Sequence, residues 1–226
     1  MNARRTLWLA TLSALVLVAL AVVPALAQTS NFGPRIPIHY IATMGTGQSD
    51  DGIPPDPYET FSYDLALKEA GIENFNVVYY TSVLPKDAYE VEFNQYLKAQ
   101  FVHGTVLESI MAKAGGIKGD TVCAGIGRVW AMDSKGEYIG GFAAEYEYVY
   151  SQKYVSKEQA YEDAKKQLTK SLQHELDIRG LKQAPVPMKF NITSLQITNN
   201  YGMALSCLGF VNFIYPPPLK VQPIER

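Results

Sequence analysis

Two pairs of residues in this 226-residue chain have types and spacings that suit chemistry. Ser82 follows Thr81 where the apolar segment FNVVYYT meets the turn-like VLP, so a nucleophilic hydroxyl stands beside a peptide carbonyl. Glu145 and Glu147 alternate in GGFAAEYEY and would share one face of a strand. Both pairs also have ordinary interpretations, as a strand end and as solvent-facing carboxylates.

A third group is formed by Thr60, Asp64 and Leu67, which stand at positions i, i+4 and i+7 of a predicted helix. On one helix face, a carboxylate and an apolar wall can meet the same ligand. Alternatively, Asp64 only occupies the first helical turn, where the helix dipole favours an anion.

The chain has no signature of a phosphate-binding loop, a serine-hydrolase elbow or a zinc peptidase. The three histidines, His39, His103 and His174, are isolated, and we assign none of them a role. There are 20 Lys and Arg residues against 22 Asp and Glu residues, a net charge of -2 that argues against a nucleic-acid partner. The two cysteines lack the paired spacing of structural zinc, so the sequence predicts no metal site.

Residues 1–27 have the features of a secretory signal peptide. Arg4 and Arg5 precede an apolar run that ends in Ala25-Leu26-Ala27, the small-x-small pattern of a cleavage site. We expect cleavage after Ala27 and an exported, periplasmic protein with no stable membrane insertion. The alternative is an uncleaved anchor over residues 6–23, because about 20 apolar residues cross a bilayer.

Cys123 and Cys207 both lie in apolar segments, TVCAGIG and MALSCLGF. After export they can form a disulfide if the fold brings their Cα atoms within about 7 Å. The alternative is a pair of buried free thiols.

Residues 28–226 contain no repeat or long polar linker and predict a single domain. Segments rich in β-branched and aromatic residues predict five strands, at residues 75–81, 121–131, 138–150, 188–198 and 203–215. The capping box at Ser156, with apolar residues at every fourth position up to Gly180, predicts one long helix. A short helix is predicted between a loop at residues 45–57 and Gly71, while residues 106–114 suit either a helix or a strand. Together these elements predict a sheet-rich α+β domain.

The segment SDDGIPPDPYETFSYDLALKEAGIENFNVVYYTSVLP, from Ser49 to Pro85, resembles the pyruvoyl-dependent arginine decarboxylases, especially the longer bacterial form known from chlamydiae. The similarity continues in order through HGTVLESIMA, AGIGRVW, GGFAAEYEY, KSLQHELDIRG and LGFVNF, and so covers residues 32–215. It implies a four-layer αββα sandwich that cleaves itself into two chains. Members of the family form homotrimers, stacked as hexamers in some cases, with active sites between neighbouring subunits.

The resemblance also implies roles for individual residues. The family's precursor cuts itself before a serine, and the matching bond here joins Thr81 to Ser82. Ser82 then becomes a covalent pyruvoyl group, which replaces any diffusible cofactor and receives the substrate amine as a Schiff base. The asparagine that stabilises the oxyanion during cleavage matches Asn76, and the glutamate that protonates the product matches Glu145.

The implied substrate is L-arginine, converted to agmatine and CO2. Asp64 matches the carboxylate that binds the guanidinium group, with Thr60 and Leu67 beside it in the substrate site. Two alternatives stay open: a different basic amino acid as substrate, or a non-catalytic exported trimer that uses the same scaffold as a binding or structural module.

Overall fold

The computed structural model describes residues 33–220. The predictions for the leader, over residues 1–27, therefore lie outside the described residues. Residues 36–214 form one compact unit. The described ends belong to a second unit, in which the Gly33 N–H donates to the Pro216 carbonyl at 2.7 Å.

Residues 33–220 contain ten strands and three helices. In chain order they are β1 (Ile36–Ser49), α1 (Ser62–Ala70), β2 (Asn76–Tyr79), β3 (Val83–Leu84), β4 (Tyr89–Glu90), α2 (Gln95–Lys98), β5 (Val106–Ile117), β6 (Thr121–Met132), β7 (Tyr138–Tyr150), α3 (Lys157–Asp177), β8 (Lys182–Gln183), β9 (Lys189–Gln196) and β10 (Tyr201–Ile214). No helix in this part of the chain is both long enough and apolar enough to span a bilayer.

The strands form two five-stranded sheets. The first sheet has the order β2-β5-β10-β1-β4; its long strands are antiparallel, and β2 adds in parallel at the edge. The second sheet has the order β3-β7-β6-β8, with β9 also paired to β6. Consecutive strands β2 and β3 therefore lie at the edges of different sheets, and the chain changes sheet between them.

The two sheets pack face to face, and each carries a helix on its outer surface. Helix α1 contributes Ala66 and Ala70 to a core with the first sheet, and α3 contributes Leu168 and Leu172 to a core with the second. A third core fills the space between the sheets. Its largest members are Tyr40, Leu84, Ile110, Val122, Ile126, Ile197, Leu208 and Phe210. The order of helix, sheet, sheet, helix agrees with the expected α+β sandwich.

The long helix confirms its sequence prediction in detail. The Ser156 hydroxyl accepts a hydrogen bond from the Gln159 N–H at 3.2 Å, which caps the first turn. Gly180 lies just beyond the helix with φ 63°, a left-handed conformation that suits glycine. The residues that recur at every fourth position are all buried: Ala160, Ala164, Leu168, Leu172 and Leu176.

Two sequence predictions about local structure are corrected. Residues 45–49 belong to β1, so the predicted loop begins only at Asp50. Gly45 and Gly47 serve close packing, because a Cβ atom at Gly45 would lie 2.1 Å from the Ala66 carbonyl oxygen of α1. The ambiguous segment 106–114 is part of strand β5. It lacks a clear alternation of polar and apolar residues because both faces of this strand are covered, one by α1 and the other by the second sheet.

Cys123 and Cys207 are free and buried, which decides between the two sequence interpretations. Cys123 packs beneath α3 in the second sheet, whereas Cys207 lies in the core beneath α1 in the first. Burial raises the pKa of both thiols to about 12, so neither is a reactive thiolate at neutral pH.

The Gly45→Ala substitution should destabilise the domain by about 3 kcal/mol or more, the upper end of overpacking, because the backbone of α1 cannot move aside as a side chain can. Urea unfolding followed by circular dichroism measures the loss. Gly136→Ala is the matched control: a Cβ there meets nothing within 4 Å, and only its φ of 83° is unfavourable, at about 1–2 kcal/mol. Equal losses for the two variants would contradict the close approach of α1 to β1.

Candidate active site

The Thr81–Ser82 peptide bond lies at the point where the chain passes from the first sheet to the second. On one side of this bond, the Tyr80 N–H donates to the Ser109 carbonyl of β5 at 2.7 Å. On the other side, the Ala143 N–H of β7 donates to the Ser82 carbonyl, also at 2.7 Å. Two different sheets thus hold the two flanks of one exposed peptide bond.

The strand register brings Ser82 next to Glu145. Val83 pairs with Phe142 and Leu84 with Gly141, so the same register sets Ser82 opposite Ala143. Glu145 is two residues beyond Ala143 and projects from the same face of β7. Such diagonal neighbours lie about 7–8 Å apart, within reach of a long side chain. Leu84 and Ala143 both belong to the core between the sheets, so this face of β7 points inward at Ala143. Farther along the strand, Glu145 is exposed.

The surroundings of Glu145 favour its protonated form. Loss of hydration is the largest effect and raises the pKa of this carboxyl; a backbone hydrogen bond opposes the rise, and repulsion from Glu147 and Glu175 adds to it. Glu147 has a structural role, because its carboxylate accepts the Lys113 N–H of β5 at 2.8 Å. Of the two carboxylates, Glu145 is therefore the better placed proton donor toward Ser82.

Asn76 is not close to the Thr81–Ser82 bond of its own chain. It opens strand β2, and its side-chain amide donates to the Gly104 carbonyl at 2.8 Å. The whole of β2 separates it from Ser82, and at a rise of about 3.3 Å per residue the strand alone spans roughly 10 Å. A role for Asn76 at this bond requires the bond of a neighbouring subunit.

The predicted helical face of Thr60, Asp64 and Leu67 is wrong as a geometric arrangement. Helix α1 begins at Ser62, and Thr60 precedes it in a turn with φ 69°. Asp64 is exposed, whereas Leu67 is buried in the core beneath α1. The pattern failed because the spacing was counted from a residue outside the helix. Of these three residues, only Thr60 and Asp64 are exposed and so accessible to a ligand.

A cavity of about 550 Å³ lies beside the start of β2, next to Phe75. Its lining includes Glu73, Asn74, Phe93, Lys98 and His103. Within the described range, no three His, Cys, Asp or Glu side chains come together as metal ligands.

A buried polar pair beside the junction was missed by the sequence reasoning. The Tyr80 hydroxyl donates to the carboxylate of Glu108, a β5 residue that is only 5% exposed. The segment VLESIMA could have indicated the pair. If it forms a strand, Glu108 shares a face with the apolar Ile110, which predicts a buried carboxylate that needs a hydrogen-bond donor. The signal could not be used while residues 106–114 suited a helix equally well.

Comparison with known proteins gives a consistent result. The family described as pyruvoyl-dependent arginine decarboxylase matches residues 39–215. The pyruvoyl-dependent arginine decarboxylase AaxB of Chlamydia caviae is 44% identical over 196 residues, which cover 84% of this chain and 99% of that protein. The protein of the same name from Chlamydia pneumoniae is 45% identical over the same coverage. Pyruvoyl-dependent arginine decarboxylase 2 of Archaeoglobus fulgidus is 29% identical over 49% of this chain and 64% of its own length.

The pKa of Glu145 should lie above that of an ordinary glutamate, and the Glu147→Gln substitution should lower it. Glutamine keeps an acceptor for the Lys113 N–H but removes the neighbouring negative charge that opposes ionisation of Glu145. Carbon-13 NMR titration of the carboxyl groups measures both values. Glu137→Gln, at the exposed β6–β7 turn, is the control and should leave Glu145 unchanged. An ordinary pKa for Glu145, or one indifferent to Glu147, would contradict this electrostatic account.

Proposed function

The chain belongs to the pyruvoyl-dependent arginine decarboxylase family, and on that premise we propose that it cuts its own Thr81–Ser82 bond and converts L-arginine to agmatine and CO2. The observation that carries this proposal is the change of sheet at residues 80–83. At this junction the two flanks of the Thr81–Ser82 bond are held by different sheets, and Glu145 is a diagonal neighbour of Ser82 on β7; both observations support the proposal.

Self-cleavage uses only groups of the chain and one water molecule. The Ser82 Oγ attacks the Thr81 carbonyl carbon, the amide C–N bond breaks, and an ester forms. Loss of the Ser82 α-proton then expels the Thr81 carboxylate and leaves a carbon–carbon double bond at residue 82. Water converts that enamine to a ketone, and ammonia leaves. The products are a chain that ends at Thr81 and a chain that begins with a pyruvoyl group at position 82.

The residues around Ser82 fit such a group. The Ala143 N–H holds the carbonyl that would lie next to the ketone, and this bond to β7 does not depend on the cleaved peptide. When formed, the pyruvoyl group would supply an electron sink for the electron pair that remains on the α-carbon as CO2 leaves. Glu145 supplies the proton that replaces CO2 on the α-carbon, and its raised pKa keeps that proton available.

Recognition of arginine requires a carboxylate for the guanidinium group, and Asp64 is our candidate. Asn76 does not approach Ser82 within one chain, and Asp64 lies on α1, which covers the outer surface of the first sheet, whereas Ser82 adjoins the core between the sheets. We therefore propose that a neighbouring subunit supplies both residues in a homotrimer. The edge formed by β2 and β3 supports this assembly. Together with the start of β5 beside β2, these strands expose apolar side chains that a partner could cover: Val78 is 45% exposed, Val83 56% and Val106 54%.

The place of action remains a proposal from the sequence. We propose that residues 1–27 direct the chain out of the cytoplasm, where net proton uptake by decarboxylation suits acid resistance or the supply of a polyamine precursor. The pattern of Arg4, Arg5 and Ala25-Leu26-Ala27 supports export.

Purified protein should release labelled CO2 from carboxyl-labelled L-arginine and form agmatine, and the Ser82→Ala variant should do neither. Alanine has no hydroxyl to attack Thr81 and nothing to eliminate, so no ketone forms. Ser134→Ala removes a hydroxyl from an exposed turn and should keep full activity. Release of CO2 from lysine or histidine in preference to arginine would favour the other substrates, and inactivity of the natural chain toward all of them would favour the non-catalytic module.

The Asn76→Ala and Glu145→Gln variants should separate cleavage from decarboxylation. Loss of the Asn76 amide should slow self-cleavage about 100-fold or more, as loss of an oxyanion donor does. The Glu145→Gln chain should cleave at close to the natural rate and then decarboxylate arginine about 100-fold more slowly, because its proton is needed only after cleavage. Gel electrophoresis over time and CO2 release measure the two steps. Equal loss of cleavage in both variants would contradict this division of roles.

A further inference from the structure

Tyr80, the residue before Thr81, is attached twice to strand β5. The Tyr80 N–H donates to the Ser109 carbonyl at 2.7 Å, and the Tyr80 hydroxyl donates to the carboxylate of the preceding residue, Glu108. The Tyr80 ring also packs against Phe210, with 5.6 Å between the ring centroids. Backbone and side chain together therefore hold residue 80 in one position.

Glu108 is an unusual residue for its place in the fold. It lies in register between Val78 of β2 and Phe210 of β10, and its side chain shares a strand face with Ile110 in the core between the sheets. An apolar side chain would fill this position without the cost of removing a carboxylate from water. The carboxylate instead accepts a hydrogen bond from the hydroxyl of Tyr80, two residues before Ser82.

We propose that Glu108 is a positioning residue for self-cleavage, which acts through Tyr80 to hold the Thr81 carbonyl within reach of the Ser82 hydroxyl. The proposal rests on the proposed self-cleavage at this bond. The Ser82 side of the bond is already held by Ala143 and by the buried Leu84. Without a matching hold at Tyr80, the carbonyl would sample many orientations, and only a few of them suit attack.

A positioning role for Glu108 and Tyr80 can be distinguished from general support of the fold, because it affects the cleavage rate but not the later turnover of arginine. After cleavage, Tyr80 and Glu108 belong to different fragments, and the new end of the chain at Thr81 no longer constrains residue 82. The pair should therefore govern the rate of cleavage and leave the later turnover of arginine unchanged. Simple damage to the core would reduce both.

The test compares four variants with the natural chain: Tyr80→Phe, Glu108→Gln, the two combined, and Tyr150→Phe as control. The control removes a similar hydroxyl-to-carboxylate bond, from Tyr150 to Asp163 at 2.9 Å, near the other end of β7. Each chain is purified uncleaved at low temperature, checked for folding by circular dichroism, and followed by electrophoresis until cleavage is complete. Turnover of arginine is then measured per cleaved chain.

We expect Tyr80→Phe to slow cleavage about tenfold, equivalent to about 1.4 kcal/mol in the activation free energy. Glu108→Gln should slow it about threefold, because a neutral amide oxygen still accepts the Tyr80 hydroxyl. The double variant should match Tyr80→Phe within about twofold, since both changes break one contact. The control should cleave at the natural rate, and turnover per cleaved chain should stay within about twofold throughout.

Three results would overturn the role of the pair while leaving self-cleavage intact: a folded Tyr80→Phe chain that cleaves at the natural rate, slowing in the double variant that equals the product of the single effects, or turnover per cleaved chain that falls in parallel with cleavage. A natural chain that does not cleave would instead overturn the proposed function itself, and this inference with it.

Discussion

The hydrogen bond from the Ala143 N–H to the Ser82 carbonyl is the contact on which the proposed site depends. It registers β3 against β7, and this register puts Ser82 on the same sheet face as Glu145. It also fixes one end of the peptide bond whose other end is held by β5 of the first sheet. A bond tethered to one sheet alone would keep its orientation free. The sandwich thus turns an ordinary strand connection into a constrained junction.

The same packing gives three carboxylates near the junction different surroundings. Glu145 is exposed, but partial loss of hydration, together with repulsion from Glu147 and Glu175, raises its pKa. Glu147 and Glu108 are instead satisfied by donors from elsewhere, the Lys113 N–H and the Tyr80 hydroxyl. Three carboxylates near one core therefore have different surroundings. Glu147 joins the two sheets, whereas Glu145 is proposed to donate a proton and Glu108 to hold the bond proposed for self-cleavage.

Sequence patterns predicted those elements whose two faces differ strongly. Helix α3 shows a single buried stripe, and β7 was bounded correctly at both ends, Tyr138 and Tyr150. The patterns failed where packing removes the contrast. Strand β5 is covered on both faces, and the glycines of β1 resemble a loop although they allow α1 to approach.

The site residues were predicted from family resemblance, because a Thr-Ser dipeptide at a strand end is ordinary until two sheets are seen to hold its flanks. Leu67 shows the converse error, since helical spacing alone could not tell a ligand wall from a core residue.

The most direct test of the account is the mass of the two pieces of the purified natural chain. We predict one piece that ends in a free carboxylate at Thr81, and a second piece that begins at position 82 and is lighter by one ammonia than the same piece with an N-terminal serine. That difference distinguishes conversion of Ser82 to a ketone from cleavage by a contaminating protease. An intact chain after prolonged incubation, or a second piece that begins with an ordinary serine, would contradict the account.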